Sequence, residues 1–181
     1  MEEEAIRQAQ SGDHTAFRKL VEAHSEMAWR VARTLLEDSL AAEDALQEAW
    51  LDAWRGLAYF DTTRPFRPWL LTIIANRCRM VRRRRTLPTT TLTEFEPHAG
   101  VMGEDPGDAL VHREADACLA ASLEALPPDR RRLIELRYFA RLDISEIALV
   151  LGIAEGTVKS RLHRTLASLK KSLQRAGIEA H

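Results

Sequence analysis

Thr157, Ser160, His163 and Arg164 bring two hydroxyls, an imidazole and a guanidinium to one side of a segment near the end of the chain. Hydrogen-bonding and cationic groups on the N-terminal half of a second helix suit a helix laid into the major groove. The pattern also describes, less well, an ordinary helical hairpin with a basic, solvated face. A second row, Trp69, Thr72, Asn76, Arg79 and Arg83, recurs at steps of three and four, and its polar members can reach base edges as well as phosphates. The run Arg82 to Arg85 continues it and repels itself unless phosphate or acid neutralises it. A third group has the opposite sign: Glu43, Asp44, Gln47 and Glu48, at i, i+1, i+4 and i+5, make a compact strip on one helix. It is either a solvated acidic face or a docking strip for a basic partner. No Gly-rich phosphate loop, metal-ligand cluster or nucleophile–base arrangement accompanies them, so no catalytic residue, metal or cofactor is expected.

The elements that must hold these groups follow from apolar periodicity. Ile144, Ile147, Ala148 and Leu151 recur at i, i+3, i+4 and i+7, which marks one buried helical face. Asp143 before it and Glu146 three residues on form a variant capping box, and Gly152 ends the helix where a left-handed residue costs least. Ile153 then plugs the angle to a second helix carrying Val158, Leu162, Leu166, Leu169 and Leu173. Upstream, residues 2–36 read as two helices interrupted at Ser11-Gly12-Asp13, with Asp13 as cap. The next helix spans about Leu40 to Leu57, its apolar stripe being Leu46, Trp50, Ala53 and Leu57. AYFDTTRPFRP cannot be regular helix, because Pro65 and Pro68 break the hydrogen-bond ladder. Its Tyr59, Phe60 and Phe66, beside Arg64 and Arg67, either enclose an unpaired base or pack the loop against the helices. From Trp69 a long helix resumes, burying Leu70, Leu71, Ile74, Cys78 and Val81. From Ala109 another leads through Leu119, Leu123 and Leu126 to Pro127-Pro128, after which Asp129 is expected to cap the next.

The chain has 181 residues, 45% hydrophobic and 29% charged, which is enough for two small domains with real cores. Its net charge of −1 hides segregation, with basic runs in the helix from Trp69 and at the C-terminus offset by acids elsewhere. Segregated charge implies separate partners for separate surfaces. Cys78 and Cys118 form neither a disulfide framework nor a metal pair and read as small apolar residues. No run approaches the roughly 20 apolar residues of a membrane span, and MEEEAIRQ lacks a basic secretory start, so the cytoplasm is the expected compartment. Between Thr86 and His112 apolar periodicity vanishes while Glu94, Glu96, Glu104, Asp105 and Asp108 occur without Lys or Arg. Such a composition cannot offset chain entropy and reads as a flexible tether.

LPPDRRRLIELRYFARLDISEIALVLGIAEGTVKSRLHRTLASLKK closely resembles region 4, the −35 reading region, of extracytoplasmic-function sigma factors of the bacterial sigma-70 family. AEDALQEAWLDAW resembles the region 2.2 helix that grips the clamp helices of polymerase β′, with Asp44, Gln47 and Glu48 at its polar positions and Ala45 a smaller residue than usual. PFRPWLLTIIANRCRMVRRRR resembles regions 2.3 and 2.4, which recognise the −10 element and hold a flipped base. The resemblance implies an all-α protein: residues 1–87 a region 2-like bundle, 88–111 an acidic linker threading towards the RNA exit path, and 112–181 a region 4-like helix-turn-helix domain. It implies that Thr157, Lys159, Ser160, Arg161, His163 and Arg164 read the −35 element, and that Phe60, Arg67, Trp69, Thr72, Asn76, Arg79 and Arg83 read the −10 element. Core RNA polymerase, through its β′ clamp helices and β flap, promoter DNA and an anti-sigma factor are the implied partners, and no enzymatic activity is implied. Two other readings are a stand-alone regulator with an N-terminal sensory or dimerisation domain, and an interaction module with a basic surface. Run-off transcription with core polymerase separates all three.

Overall fold

A computed structural model gives the fold and describes residues 2–86 and 118–175; the expected linker, 88–111, lies outside them. Four helices build the first half: α1 (Glu2–Gln10), α2 (His14–Leu36), α3 (Ser39–Leu57) and α4 (Phe66–Thr86). The second half holds α5 (118–124), α6 (Pro128–Ile134), a π-turn (Glu135–Phe139), α7 (Ile144–Leu151) and α8 (Glu155–Arg175). No strand occurs among the described residues, and none of their helices is long and apolar enough to cross a membrane.

Asp13 caps α2 as expected, accepting from the Thr15 and Ala16 amides at 2.7 and 3.2 Å. Asp38 does the same for α3 through the Ala41 amide, which moves that helix start to Ser39. α2, α3 and α4 pack together around Leu20, Val31, Leu57, Leu70, Leu71 and Ile74, all essentially buried. Small residues on α3 (Ala42, Ala45, Ala49, Ala53) allow the close approach. Cys78 joins this core, and burial pushes its thiol up to about 12, which leaves it an inert packing group.

The structure corrects three local expectations. α4 starts at Phe66, so Pro68 lies in its first turn, where a missing N–H removes nothing because those amides have no intrahelical acceptor. Asp129 does not cap α6; Pro127 occupies the cap position in extended geometry without a side-chain bond, and Pro128 begins the helix with its fixed φ. On α8 the buried row runs Val158, Leu162, Thr165 and Leu169, whereas Leu166 is 37% exposed. Thr165 tolerates burial because its hydroxyl donates to the Arg161 carbonyl at 2.8 Å. The π-turn, whose Ala140 amide reaches back five residues to Glu135 at 2.9 Å, has no counterpart in the sequence reading.

The two halves are docked, and their buried residues form one contiguous cluster. α7 packs on α4, and the π-turn packs on α2. Glu135 sits in that second contact and takes a hydrogen bond from the Thr34 hydroxyl, yet burial pushes its carboxyl above the ordinary range.

Candidate nucleic-acid interface

The helix-turn-helix is fixed at each corner by a specific interaction. Asp143 accepts from the Glu146 amide at 2.8 Å while the Glu146 carboxylate accepts from the Asp143 amide at 2.9 Å, a reciprocal capping box. The Glu146 amide, followed by the Ser145 hydroxyl, holds the Asp143 carboxyl below the usual range. Gly152 adopts φ 70° and ψ 37°, and both its amide and that of Ile153 return to the Ala148 carbonyl, at 2.8 and 3.1 Å. The chain then turns through Ala154, whose carbonyl accepts from Thr157 and Val158 and opens α8. Ala154 supplies no side-chain acceptor to the free amides of that first turn. Ala154→Ser is therefore expected to raise the chain's stability by about 0.5–2 kcal/mol, read as a higher urea midpoint at unchanged slope; an unchanged midpoint would place the cap elsewhere.

With α8 so aimed, Lys159, Ser160, Arg161, His163 and Arg164 are exposed and Thr157 is half-buried at the turn. Ser160 donates to the Thr157 carbonyl at 3.1 Å and Arg164 to the Ser160 carbonyl at 3.2 Å, so both side chains lie along the exposed face of the helix.

On α4, Thr72, Asn76, Arg79 and Arg83 form an exposed row, and Arg79 donates to the Asn76 side-chain oxygen. The loop aromatics divide by role. Phe60, 7% exposed, packs against Phe66 and Trp69 with ring centroids 5.8 and 4.8 Å away, and Gln10 ties the Phe60 carbonyl down at 2.8 Å. Tyr59 stands 92% exposed. Of the two readings open for the loop, Phe60 thus follows the packing one in this conformation. Trp69 is half-buried, and Gly56 of α3 makes room for it: a Cβ there would lie 3.2 Å from the indole. Arg67 turns onto Glu146 of α7, with Nε 2.8 Å from Oε1.

On α3, Asp44, Gln47 and Glu48 are exposed on the side opposite the buried alanines. Arg77 of α4 lies 3.7 Å from Glu48 and donates to Asp52, whose carboxyl it holds below the ordinary range. Sequence reasoning passed over Leu40 and Leu51, which are 74% and 48% exposed and bracket the acidic strip at positions 40, 44, 47 and 51. That four–three–four spacing is the seam of helix-on-helix packing, and it was the available signal. Sequence reasoning also missed an open groove of about 800 Å³ on the second half, lined by Leu119, Leu123, Tyr138, Leu166, Leu169 and Leu173 among others. Among the described residues no cluster could hold a metal ion.

Comparison with known proteins places both halves of the chain in one family. The family model for sigma-70 region 2 matches residues 20–87, and that for sigma-70 region 4 matches residues 116–169. The ECF RNA polymerase sigma factor SigL of Mycobacterium tuberculosis is 32% identical over 94% of this chain and 96% of its own length. This chain belongs to the extracytoplasmic-function sigma factors. SigW of Bacillus subtilis, also an ECF RNA polymerase sigma factor, is 32% identical over 93% of the chain and 95% of its own length. Among solved structures, CnrH in complex with the cytosolic domain of CnrY superposes with a TM-score of 0.62 at 27% identity, covering 96% of this chain and 97% of that one. RpoE of Bartonella quintana, in complex with the anti-sigma factor NepR, shares the fold with a TM-score of 0.63 at 23% identity, over 87% and 96% of the two chains. In this sigma factor the region 2 match contains α3 and α4, the region 4 match contains α7 and most of α8, and the acidic segment falls between them.

Proposed function

We propose that this sigma factor initiates transcription in the cytoplasm by docking α3 on core RNA polymerase, reading the −10 element with α4 and the −35 element with α8. The observation that carries the reading is the separation of three exposed faces of different chemistry, acidic on α3 and hydrogen-bonding and cationic on α4 and α8, within the two segments that match regions 2 and 4 in order. Asp44, Gln47 and Glu48 meet the β′ clamp helices, with Leu40 and Leu51 covered at either end. Thr72, Asn76, Arg79 and Arg83 contact the opened −10 strand, and Arg67 joins them once it leaves Glu146. Trp69 and Phe60 brace the loop that presents Tyr59. The groove beside Leu166 receives the β flap, and residues 88–111 tether the two domains.

The proposed machinery contains no reacting group, in keeping with relatives that are sigma factors rather than enzymes. Structures of related sigma factors with CnrY and with the anti-sigma factor NepR support an anti-sigma partner here as well. Purified chain added to core polymerase is expected to give run-off transcripts from its own promoters without any other sigma factor. A transcript that requires a second sigma factor would instead establish the stand-alone regulator.

Arg164→Ala tests the reading of α8. A side chain bonded to a base edge typically contributes about 1–3 kcal/mol of discrimination. The variant is expected to weaken preferred promoters by that amount and scrambled −35 sequences far less. Equal weakening in a gel-shift titration of the holoenzyme would reduce Arg164 to a phosphate contact.

A further inference from the structure

Arg77 of α4 lies between two carboxylates of α3 and treats them unequally. Glu48 and Asp52 stand four residues apart, hence on one face of α3, and both are within reach of the same guanidinium. The Arg77 Nε donates to Asp52 Oδ2, whereas its Nη1 stays 3.7 Å from Glu48 Oε2, inside the range of an ion pair but beyond that of a hydrogen bond. Arg55 lies 3.8 Å from the other Asp52 oxygen, so that carboxylate has a cation at each oxygen. Exposure divides the two acids in the same way: the Glu48 side chain is 55% exposed, against 31% for Asp52. The more accessible acid belongs to the strip with Asp44 and Gln47, while the more covered one is occupied within the chain.

Arg77 also has room to turn. An open groove of about 370 Å³ runs between α3 and α4, lined by Asp44, Glu48, Met80 and Val81 as well as by Arg77 itself. Without Asp52, a shift of about 1 Å closes the gap to Glu48 to the roughly 2.8 Å of a charged hydrogen bond, and the guanidinium fork can then match the carboxylate with two bonds. Glu48 would no longer be open to a cation from outside. A positive side chain at the edge of an acidic docking strip competes with the partner for that strip, and Asp52 takes this competitor away.

We propose that Asp52 is a positioning residue for polymerase docking: by holding Arg77, it keeps the Glu48 carboxylate open to a basic partner helix without touching that partner itself. The Asp52 charge then matters only while Arg77 is present, which separates this role from that of one more acid in the strip. The inference rests on the docking of α3 on core polymerase, whereas the hold of Asp52 on Arg77 belongs to the free chain.

Two measurements on the full chain test it. Carbodiimide labelling of carboxylates, located by mass spectrometry, reports access to Glu48 in the free chain, and capture by core polymerase reports docking. Asp52→Ala is expected to lower Glu48 labelling and to weaken capture by about twofold to fivefold, the range open to an exposed ion pair that the partner must first displace. Arg77→Met, which keeps an apolar stem and removes the charge, should leave capture at the wild-type level or above it. Combined with Asp52→Ala, it should restore both labelling and capture. Asp52→Ala with Arg55→Met has the same net charge as that double variant but keeps Arg77, and should remain weak. Unchanged Glu48 labelling in Asp52→Ala overturns the hold on Arg77. Equal weakening with and without Arg77 makes Asp52 a direct contact, and recovery in the Arg55→Met combination reduces the effect to net charge; either result overturns the proposal. If the wild type itself is not captured, the docking reading fails, and with it the role given to Asp52, whatever the labelling shows. Should Asp52→Ala melt early, Asp52→Asn, which keeps the shape of the side chain, takes its place and is held to the same outcomes.

Discussion

Reversing two charges on α3, Asp44→Arg with Glu48→Arg, is expected to abolish capture by core RNA polymerase while the free chain keeps its melting transition. Both side chains are exposed, and the packing of α3 is carried by Ala42, Ala45, Ala49, Ala53 and Leu57, which the substitutions do not touch. Within the chain, Glu48→Arg removes the 3.7 Å approach to Arg77, and Arg77 retains its hydrogen bond to Asp52. An exposed pair of this kind contributes roughly 0–1 kcal/mol, so the fold tolerates its removal. Against a partner the scale differs, because breaking a desolvated interfacial charge pair costs about 2–5 kcal/mol, and two reversals add repulsion. A pull-down with core polymerase, run beside a circular-dichroism melt, checks the result. Retained capture with a native melt would sink the docking assignment; if the melt itself collapses, Asp44→Asn with Glu48→Gln repeats the test without introducing repulsion.

The parts of this molecule legible in its sequence are those governed by local rules. The capping box at Asp143 and Glu146, the left-handed Gly152 and the Asp13 cap all depend on residues within four positions of one another, and each appears in the structure. The buried face of α4 is equally plain, since Leu70, Leu71, Ile74 and Cys78 obey the helical period. Where a tertiary contact reassigns a residue, periodicity fails. Leu166 belongs to the apolar row of α8 by spacing but borders an open groove, while Thr165 goes inside because its hydroxyl finds a carbonyl on the preceding turn. Glu146 shows the same limit most clearly. Its capping role is readable, but its second partner, Arg67, lies 79 positions away, and no local pattern announces a pair so distant. Two of the contacts that dock the halves are of this kind, those of Arg67 and Arg79, whose side chains the sequence assigns to a DNA-facing set.

Arg79→Ala is expected to act in opposite directions on the free chain and on the holoenzyme. In the free chain it removes the hydrogen bonds to the Leu149 and Val150 carbonyls, leaving the last turn of α7 to water, and so weakens the packing of α7 on α4. Arg79 is exposed beside Asn76 and outside the core, so the substitution leaves the packing of α4 in place. In the holoenzyme, under the proposed assignment of α4, what counts is the loss of a cation and donor from the −10 face. A contact of that class is worth about 1–3 kcal/mol, which corresponds to roughly a 5- to 150-fold drop in initiation. The comparison with Glu146→Gln separates the two effects, because that substitution weakens the contact between α4 and α7 from the α7 side, at Arg67, and leaves the α4 face intact. Scattering should therefore report expansion for both variants, and run-off transcription at limiting polymerase should fall for Arg79→Ala alone. Equal transcription from the two would remove Arg79 from the −10 contacts. Equal loss would mean that α7 must keep its Glu146 carboxylate to work on polymerase, and the contact of α7 with α4 would then belong to the active state.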